Sequence, residues 1–510
     1  VLPPKLYQKL EVNLLEATKG SPFTVLTQLT KDPDYIGIDT ETAKKRWFNI
    51  SFQSGLYIIQ DAQYARISVL PMYNGNRLQF GYGFEGFVGL SDTAANLNDF
   101  SVLSRILAPI SFDFQSRRDQ FRFRLGKIHN LTFGYGMLLK RYTNTVSYPL
   151  KQDAGLVINL MSDAQNFSLN IFHSSLGYLD GGLMGLHATA QVIPMIPLWI
   201  GLGYVTDMNQ FSDLSDTVWM NVEPRKRSVS GFQADVTYRL KSDFRNDTYL
   251  FGEFTALSFE NYLRYIRYEN SDPPDHGYER KTAYGILGPG LWFKLGHHQN
   301  IKVALNFSSA LFTAPFFSET YELERLHYVP KSELDSLLED NPEWLSDNLW
   351  FNMITANLIA DDSSAYYLPK DVYALLTPTR NVHNKIGLTA EYGYYYRNFY
   401  SYTFDFNIFR EMGIVSEATT FYSAGINVNI HEGLIKSISE FNVYYNQNFS
   451  DKLFSMNTYQ ENIMFGIRLG LNITHKISLH FHWHDVFYDH ELDGITDLNR
   501  TQGFELVAKF

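Results

Sequence analysis

The chain has no cysteine in 510 residues. That excludes disulfide stapling and thiolate-based metal or redox sites. Charge is scarce as well. Asp, Glu, Lys and Arg make up 19% of residues, below the usual quarter of a soluble domain. A net charge of −11 argues against nucleic acid as a partner. Nothing reaches the roughly 18 consecutive apolar residues that mark a membrane helix. The most apolar run, 192–205, is too short and holds Pro194 and Pro197. No secretory n-region or h-region opens the sequence, so Val1 is expected to be a processed N-terminus. Catalytic signatures are missing too: there is no GxSxG, HExxH, phosphate-binding loop or haem-attachment motif. His484 and Asp485 are adjacent, which on a strand points them to opposite faces. The expectation is a protein that is not an enzyme, with no cofactor and no bound metal.

Aromatics, by contrast, are abundant at 16%, with 34 Tyr and 39 Phe. They fall in strict alternation. In "ISLHFHWHDV" Ile477, Leu479, Phe481 and Trp483 alternate with Ser478, His480, His482 and His484. Residues i and i+2 share one face of a strand. The pattern recurs at Ile463–Ile473, at Ile386–Tyr394 and at Phe121, Phe123 and Leu125, whose neighbours are Arg122 and Arg124. The longer runs reach ten residues or more, against the usual five or six of soluble sheets. Long strands with one greasy and one wet face predict a transmembrane antiparallel β-barrel, the one sheet that leaves no edge unpaired in lipid.

The closing stretch "QGFELVAKF" sets Phe504, Leu506, Ala508 and Phe510 on one face. Here the sequence resembles bacterial outer-membrane β-barrel proteins, a porin-like class. The resemblance implies the outer membrane of a Gram-negative bacterium, contact with outer-membrane lipids and lipopolysaccharide, and recognition of the last strand by the barrel-assembly machinery. It identifies no particular barrel.

Loop lengths extend the reading. Such barrels alternate short periplasmic turns with long external loops. Counting back from the end gives 21 strands, the first at 46–58 and one at 131–141 between connections near 127–130 and 142–152. Two connections break the alternation: 91–104 is long on the periplasmic side and 74–76 is short outside. One more strand in the N-terminal segment 1–45, near Lys9 to Glu16, would give the favoured 22; merging a doubtful pair would give 20. The barrel proper is placed at 46–510. "EYGYYYRNFYSYTF" (391–404) reads as an aromatic girdle around a tight periplasmic turn.

A barrel this wide has a lumen, and at 22 strands it usually needs a plug. Residues 1–45 are too few for a globular one. The loop 313–382 is the candidate. Twelve Asp and Glu up to Asp371 face only Arg325, Lys331 and Lys370, and "SELDSLLED" predicts a short helix there. Its constriction candidates are Glu333, Asp335, Glu339, Asp340, Asp361 and Asp362. The lumen-lining candidates are Arg122, Arg124, Lys140, Arg468, His480, His482 and His484. An acidic loop folded onto a basic wall would set a transverse field that selects solutes by charge; the alternative is a loop that stays outside as a solvated face while the arginines line water. Two histidines about 7 Å apart on a strand fall short of the four ligands of a closed zinc site, so a polar, pH-sensitive wall is expected. Function divides into a channel or transporter for small polar solutes or one specific substrate, gated by the long loop, and a structural or assembly barrel that binds a protein partner in a secretion or surface complex. An outer-membrane enzyme is a distant third.

Overall fold

The computed structural model describes residues 48–59, 62–74, 78–91, 110–115, 121–128, 130–146, 154–162, 166–177, 181–193, 195–212, 228–243, 246–268, 275–296, 298–330, 365–370, 383–396, 400–412, 420–431, 434–450, 453, 463–488 and 497–509. The first strands are β1 (Phe48–Ile59), β2 (Ala62–Asn74), β3 (Leu78–Tyr82), β4 (Phe84–Gly89), β5 (Ile110–Gln115), β6 (Phe121–Gly126) and β7 (Gly155–Met161). Then come β8 (Phe167–His173), β9 (Leu183–Gln191), β10 (Leu198–Asp207), β11 (Val229–Ser242), β12 (Asn246–Tyr268), β13 (Asp275–Leu295) and β14 (Gln299–Ser308). A one-turn helix, α1 (Tyr321–Glu324), precedes a separate hairpin of β15 (Leu326–Pro330) and β16 (Ala365–Pro369). The main sheet resumes with β17 (Lys385–Tyr396), β18 (Tyr400–Glu411), β19 (Thr420–His431), β20 (Ile438–Ser450), β21 (Ile463–Asn472), β22 (Ile477–Tyr488) and β23 (Asp497–Lys509).

The sheet is a closed antiparallel barrel. β1 pairs along one edge with β2 and along the other with β23, in a register that sets Leu56 opposite Phe504. β3 and β4 both pair with β2 and are two pieces of one stave, broken at Gly83. The 21-stranded sheet is therefore a cylinder of twenty staves. Both edges of β1 are taken, so the described staves close the ring at twenty, the lower end of the expected 20 to 22. Lys9 to Glu16 lie outside the described residues.

One correction concerns 131–141. This segment is not a stave: β6 pairs directly with β7. The excursion between them folds inward as an irregular hairpin, with Leu131 and Tyr142 exchanging backbone hydrogen bonds of 3.0 and 2.9 Å. Its apex holds Gly134 at φ +53 and Gly136 at φ +87, two left-handed positions one residue apart that interrupt an extended run and that glycine adopts cheaply. Removing this one stave moves every upstream connection to the opposite rim. The stretch 90–109 then joins the long loops and 75–77 the short turns, so both breaks in the alternation disappear. One rim now carries only short turns, and the other carries all the long loops. Within the long-loop set, 259–281 is mostly strand: β12 continues to Tyr268 and β13 starts at Asp275.

The two faces differ as the alternation requires. Outside, Ile200, Leu202, Phe254, Leu305, Leu388 and Leu506 are exposed, Leu202 and Leu305 to 50%. A cylinder with so apolar an exterior and no free edge is built for lipid. Among the described residues no helix is long and apolar enough to cross a membrane. Near the short-turn rim the tyrosines of β17 and β18 stack across the pair, Tyr392 on Tyr402 at 5.3 Å and Tyr394 on Tyr402 at 5.5 Å.

Candidate functional site

The inside of the barrel is divided into two sectors. Along β7 to β14 and β18 to β19, the inward residues form one dry core with residues that are not part of any stave. Leu131, Phe133, Tyr135, Met137, Leu138, Leu139 and Tyr142 come from the hairpin between β6 and β7. Phe312, Ala314, Phe316, Phe317 and Tyr321 come from the segment after β14. Wall residues such as Trp199, Val205, Leu257 and Trp292 pack against them. The two inward segments are also joined to each other. Lys140 donates its backbone N–H to Phe317 O at 3.1 Å, Phe317 donates to Leu138 O at 3.0 Å, and Tyr142 donates its hydroxyl to Glu322.

The wall is shaped to receive this plug. A Cβ on Gly231 would collide with Leu138, one on Gly285 with Met137 and Phe312, and one on Gly425 with the Arg141 guanidinium. Bare backbone at these inward positions leaves sockets for the plug side chains.

Charge fixes it further. Among the described contacts between wall and plug, wall carboxylates meet cations and amides of the plug. Arg325 donates from Nε and Nη2 to Asp207 at 2.6 and 3.0 Å, and Nη2 also reaches Asn209 O at 2.7 Å and Ser212 Oγ at 2.8 Å. Tyr321 donates to the same Asp207 carboxylate at 2.9 Å. Arg141 donates to both oxygens of Asp405, at 2.6 and 3.2 Å. Lys140 lies 2.8 Å from Glu391, which Lys302 of the wall also meets at 2.8 Å. Glu253 accepts from the Tyr135 and Met137 amides, the latter at 3.0 Å. Charge-assisted bonds of this kind are the strong ones in a site shielded from water. Burial pushes the Glu319 carboxyl up to about 7, against the pull of the Arg141 guanidinium 3.0 Å away. Burial disfavours the Lys140 ammonium, but Asp405 and Glu391 outweigh it and hold its pKa above the ordinary lysine value.

The opposite sector, along β20 to β23, β1, β2 and β4, is a polar network. The histidines sit here. His482 accepts from Arg468 Nε at 3.2 Å on Nδ1 and donates from Nε2 to Glu505 at 3.0 Å, which fixes the neutral tautomer. His480 shares a hydrogen bond with Ser478 at 2.7 Å and has Glu440 at 3.8 Å. His484 meets the Tyr444 hydroxyl. Glu505 is also bound by Arg66 and Tyr57, and Arg66 reaches Glu85. Among the described residues no group of three or more His, Asp or Glu has a metal-holding geometry.

The sequence-derived candidates thus scatter. Arg468, His480, His482 and His484 come together in the polar sector. Arg122 and Arg124 lie on β6 on the face away from its exterior aromatic stack of Phe112, Phe114, Phe121 and Phe123. Lys140 belongs to the plug, not the wall. Glu333, Asp335, Glu339, Asp340, Asp361 and Asp362 lie outside the described residues. Asp207, Glu253, Glu391, Asp405, Arg141 and Arg325 were not singled out. Their signal was available: each of the four wall acids occupies an inward position of an otherwise alternating strand.

No protein-family model matches the chain, and no curated protein matches it either. Solved structures that resemble it include OccAB1 of Acinetobacter baumannii, 8% identical, covering 91% of this chain and 96% of that one with a TM-score of 0.33. OpdK of Pseudomonas aeruginosa, solved with vanillate, is 6% identical over 91% of this chain and 98% of that one, with a TM-score of 0.36. The FrpB iron transporter of Neisseria meningitidis is 8% identical over 93% and 84%, with a TM-score of 0.38. Likeness this slight carries no functional meaning.

Proposed function

We propose that the chain is a gated passage for small polar solutes across the outer membrane of a Gram-negative bacterium, described here in its closed form. One observation carries this reading: among the described residues, two loop segments anchored at a single rim fold into the lumen and fill one sector of it. They are held by side-chain ion pairs and glycine sockets, contacts that can be released without breaking a single stave-to-stave hydrogen bond. A cylinder of twenty staves is wide enough to leave a water-filled passage once such segments move, since sixteen to eighteen already suffice. The polar sector of Arg, His and Glu is then the wall past which solute travels.

The test is conductance of the purified chain in planar bilayers. Wild type is expected to pass little current. A variant with residues 131–142 replaced by a Gly-Ser stretch is expected to show a lasting conductance. Equal currents from the two would remove the gate. The other reading, a barrel that holds a protein partner, has one observation in its favour. The turn after β9 exposes Val192, Ile193, Met195 and Ile196 at the short-turn rim, Met195 to 94%. A released variant that still passes no current would support it.

A further inference from the structure

A cavity of ≈ 120 Å³ lies where the plug meets the wall, lined by Lys140 and Arg141 of the plug and by Lys302, Glu391, Tyr395 and Asp405 of the wall. Its two carboxylates are not equivalent. Glu391 is served by Lys302 of the neighbouring stave, at 2.8 Å, as well as by Lys140. Among the described residues Asp405 bonds only to the plug: Arg141 at 2.6 Å and Lys140 at 3.5 Å. Removing the plug therefore leaves Asp405 as a wall carboxylate with no cation of its own. The plug side is purpose-shaped. Arg141 is one of two described non-glycine residues with a positive φ, at 53°, a conformation that costs energy unless the surroundings impose it. Opposite, Gly425 leaves the gap that the Asp405–Arg141 pair occupies. Arg141 and Lys140 thus sit on the wall as an internal ligand would.

We infer that this cavity recognises a solute bearing an organic cation, a primary ammonium or a guanidinium, which opens the barrel by taking Asp405 from Arg141 and Lys140. The inference rests on the gate reading above. A cationic solute gains a carboxylate that only the released wall offers, so it binds the open state better than the closed one, and that difference is what shifts a population. An anionic solute would bond to Lys140 and Arg141 and gain nothing from their departure. The aromatic face of Tyr395 can carry the solute's apolar part. Glu319, on the far side of Arg141 at 3.0 Å, retains the displaced guanidinium.

The test uses n-butylguanidinium chloride as probe on the full chain in planar bilayers, with sodium butyrate and butanol as controls. Butylguanidinium is expected to raise open probability roughly tenfold in a saturable way, and the controls are expected to leave it unchanged. Asp405→Asn should abolish the response. If Asp405→Asn does not assemble, Lys140→Met, which removes a competitor for Asp405, should lower the half-saturating concentration. An Arg325→Ala variant, released far from the cavity, should conduct without probe. If Arg325→Ala conducts while butylguanidinium leaves wild type closed, or butyrate opens it equally well, the recognition inference is wrong and the gate stands. If Arg325→Ala stays closed, the gate itself falls.

Discussion

The bolt between Arg325 and Asp207 is the sharpest point at which to strain the closed barrel. Arg325 is 2% exposed and Asp207 fully buried. Three bonds from Nη2 and one from Nε hold the guanidinium, two of them to the carboxylate oxygens. Arg325→Ala deletes them and leaves Asp207 with two neutral donors, the Tyr321 hydroxyl and the Asn209 amide, and without its cation. Removing one partner of a buried pair costs about 3–5 kcal/mol, chiefly because the remaining charge is left uncompensated. That cost falls on the closed state alone, since a withdrawn plug lets water reach Asp207. The closed-to-open ratio should drop roughly one-hundred- to several-thousand-fold. The double variant Asp207→Asn/Arg325→Met has no stranded charge and should lie much nearer wild type. The assay is single-channel recording of the wild type, both single variants and the double variant in one lipid and salt. A closed Arg325→Ala channel, or a double variant as open as the single, would refute the reasoning, because it would mean that the bond network does not hold the plug.

Gly425→Val should push Arg141 off Asp405 and cost the closed state about 1–3 kcal/mol, as overpacking does, seen as longer openings without loss of barrel thermal stability. The Glu319 carboxyl, with its ordinary value of 4.5 pushed up to about 7 in the docked plug, binds its proton more tightly docked than released. Docking is therefore favoured at acid pH and weakens as pH rises from 4.5 to 7, then levels off, a swing of about 3 kcal/mol at most. Open probability should climb across that window, and Glu319→Gln should flatten the curve. Leu202→Arg on the exterior should cost about 2–4 kcal/mol if it faces mid-membrane lipid, read as a drop in urea midpoint for folding into vesicles; an unchanged midpoint would contradict the lipid-facing assignment. The same measurement on Gly470 should not be benign, because any side chain there meets Ser439 and His480.

The barrel was legible because its determinants are local and repeat. Each stave states its own two faces, as Leu479, Phe481 and Trp483 do against His480, His482 and His484. The inward hairpin at 131–142 was misread for a physical reason. "LTFGYGMLLKRY" alternates well enough to pass as a stave, and only the left-handed backbone at Gly134 and Gly136, which alternation does not encode, makes it turn back. That one error also produced the two misplaced loops and the odd strand count. The anchoring of the loop after β14 was not legible because the composition of 313–382 is an average over the loop. Its cationic anchor is Arg325, whose partner Asp207 lies 118 positions upstream. Long-range ion pairs of this kind leave no mark in either neighbourhood alone.

The join between β1 and β23 has a consequence for assembly. Arg66 and Tyr57 reach Glu505 across 439 and 448 positions of chain, and contacts that distant form slowly because the intervening polypeptide must be ordered first. The largest apolar cluster, by contrast, draws only on the middle of the sequence, from Ile128 to Phe421, and the cluster beside the join, Tyr57, Ile59, Ala62, Tyr64 and Phe87, is small. A curved, still unclosed sheet can therefore mature around its own stopper before its ends meet. The ring is then fastened last, by hydrophilic clasps and one small apolar cluster, so the lumen never has to be filled after the wall has shut.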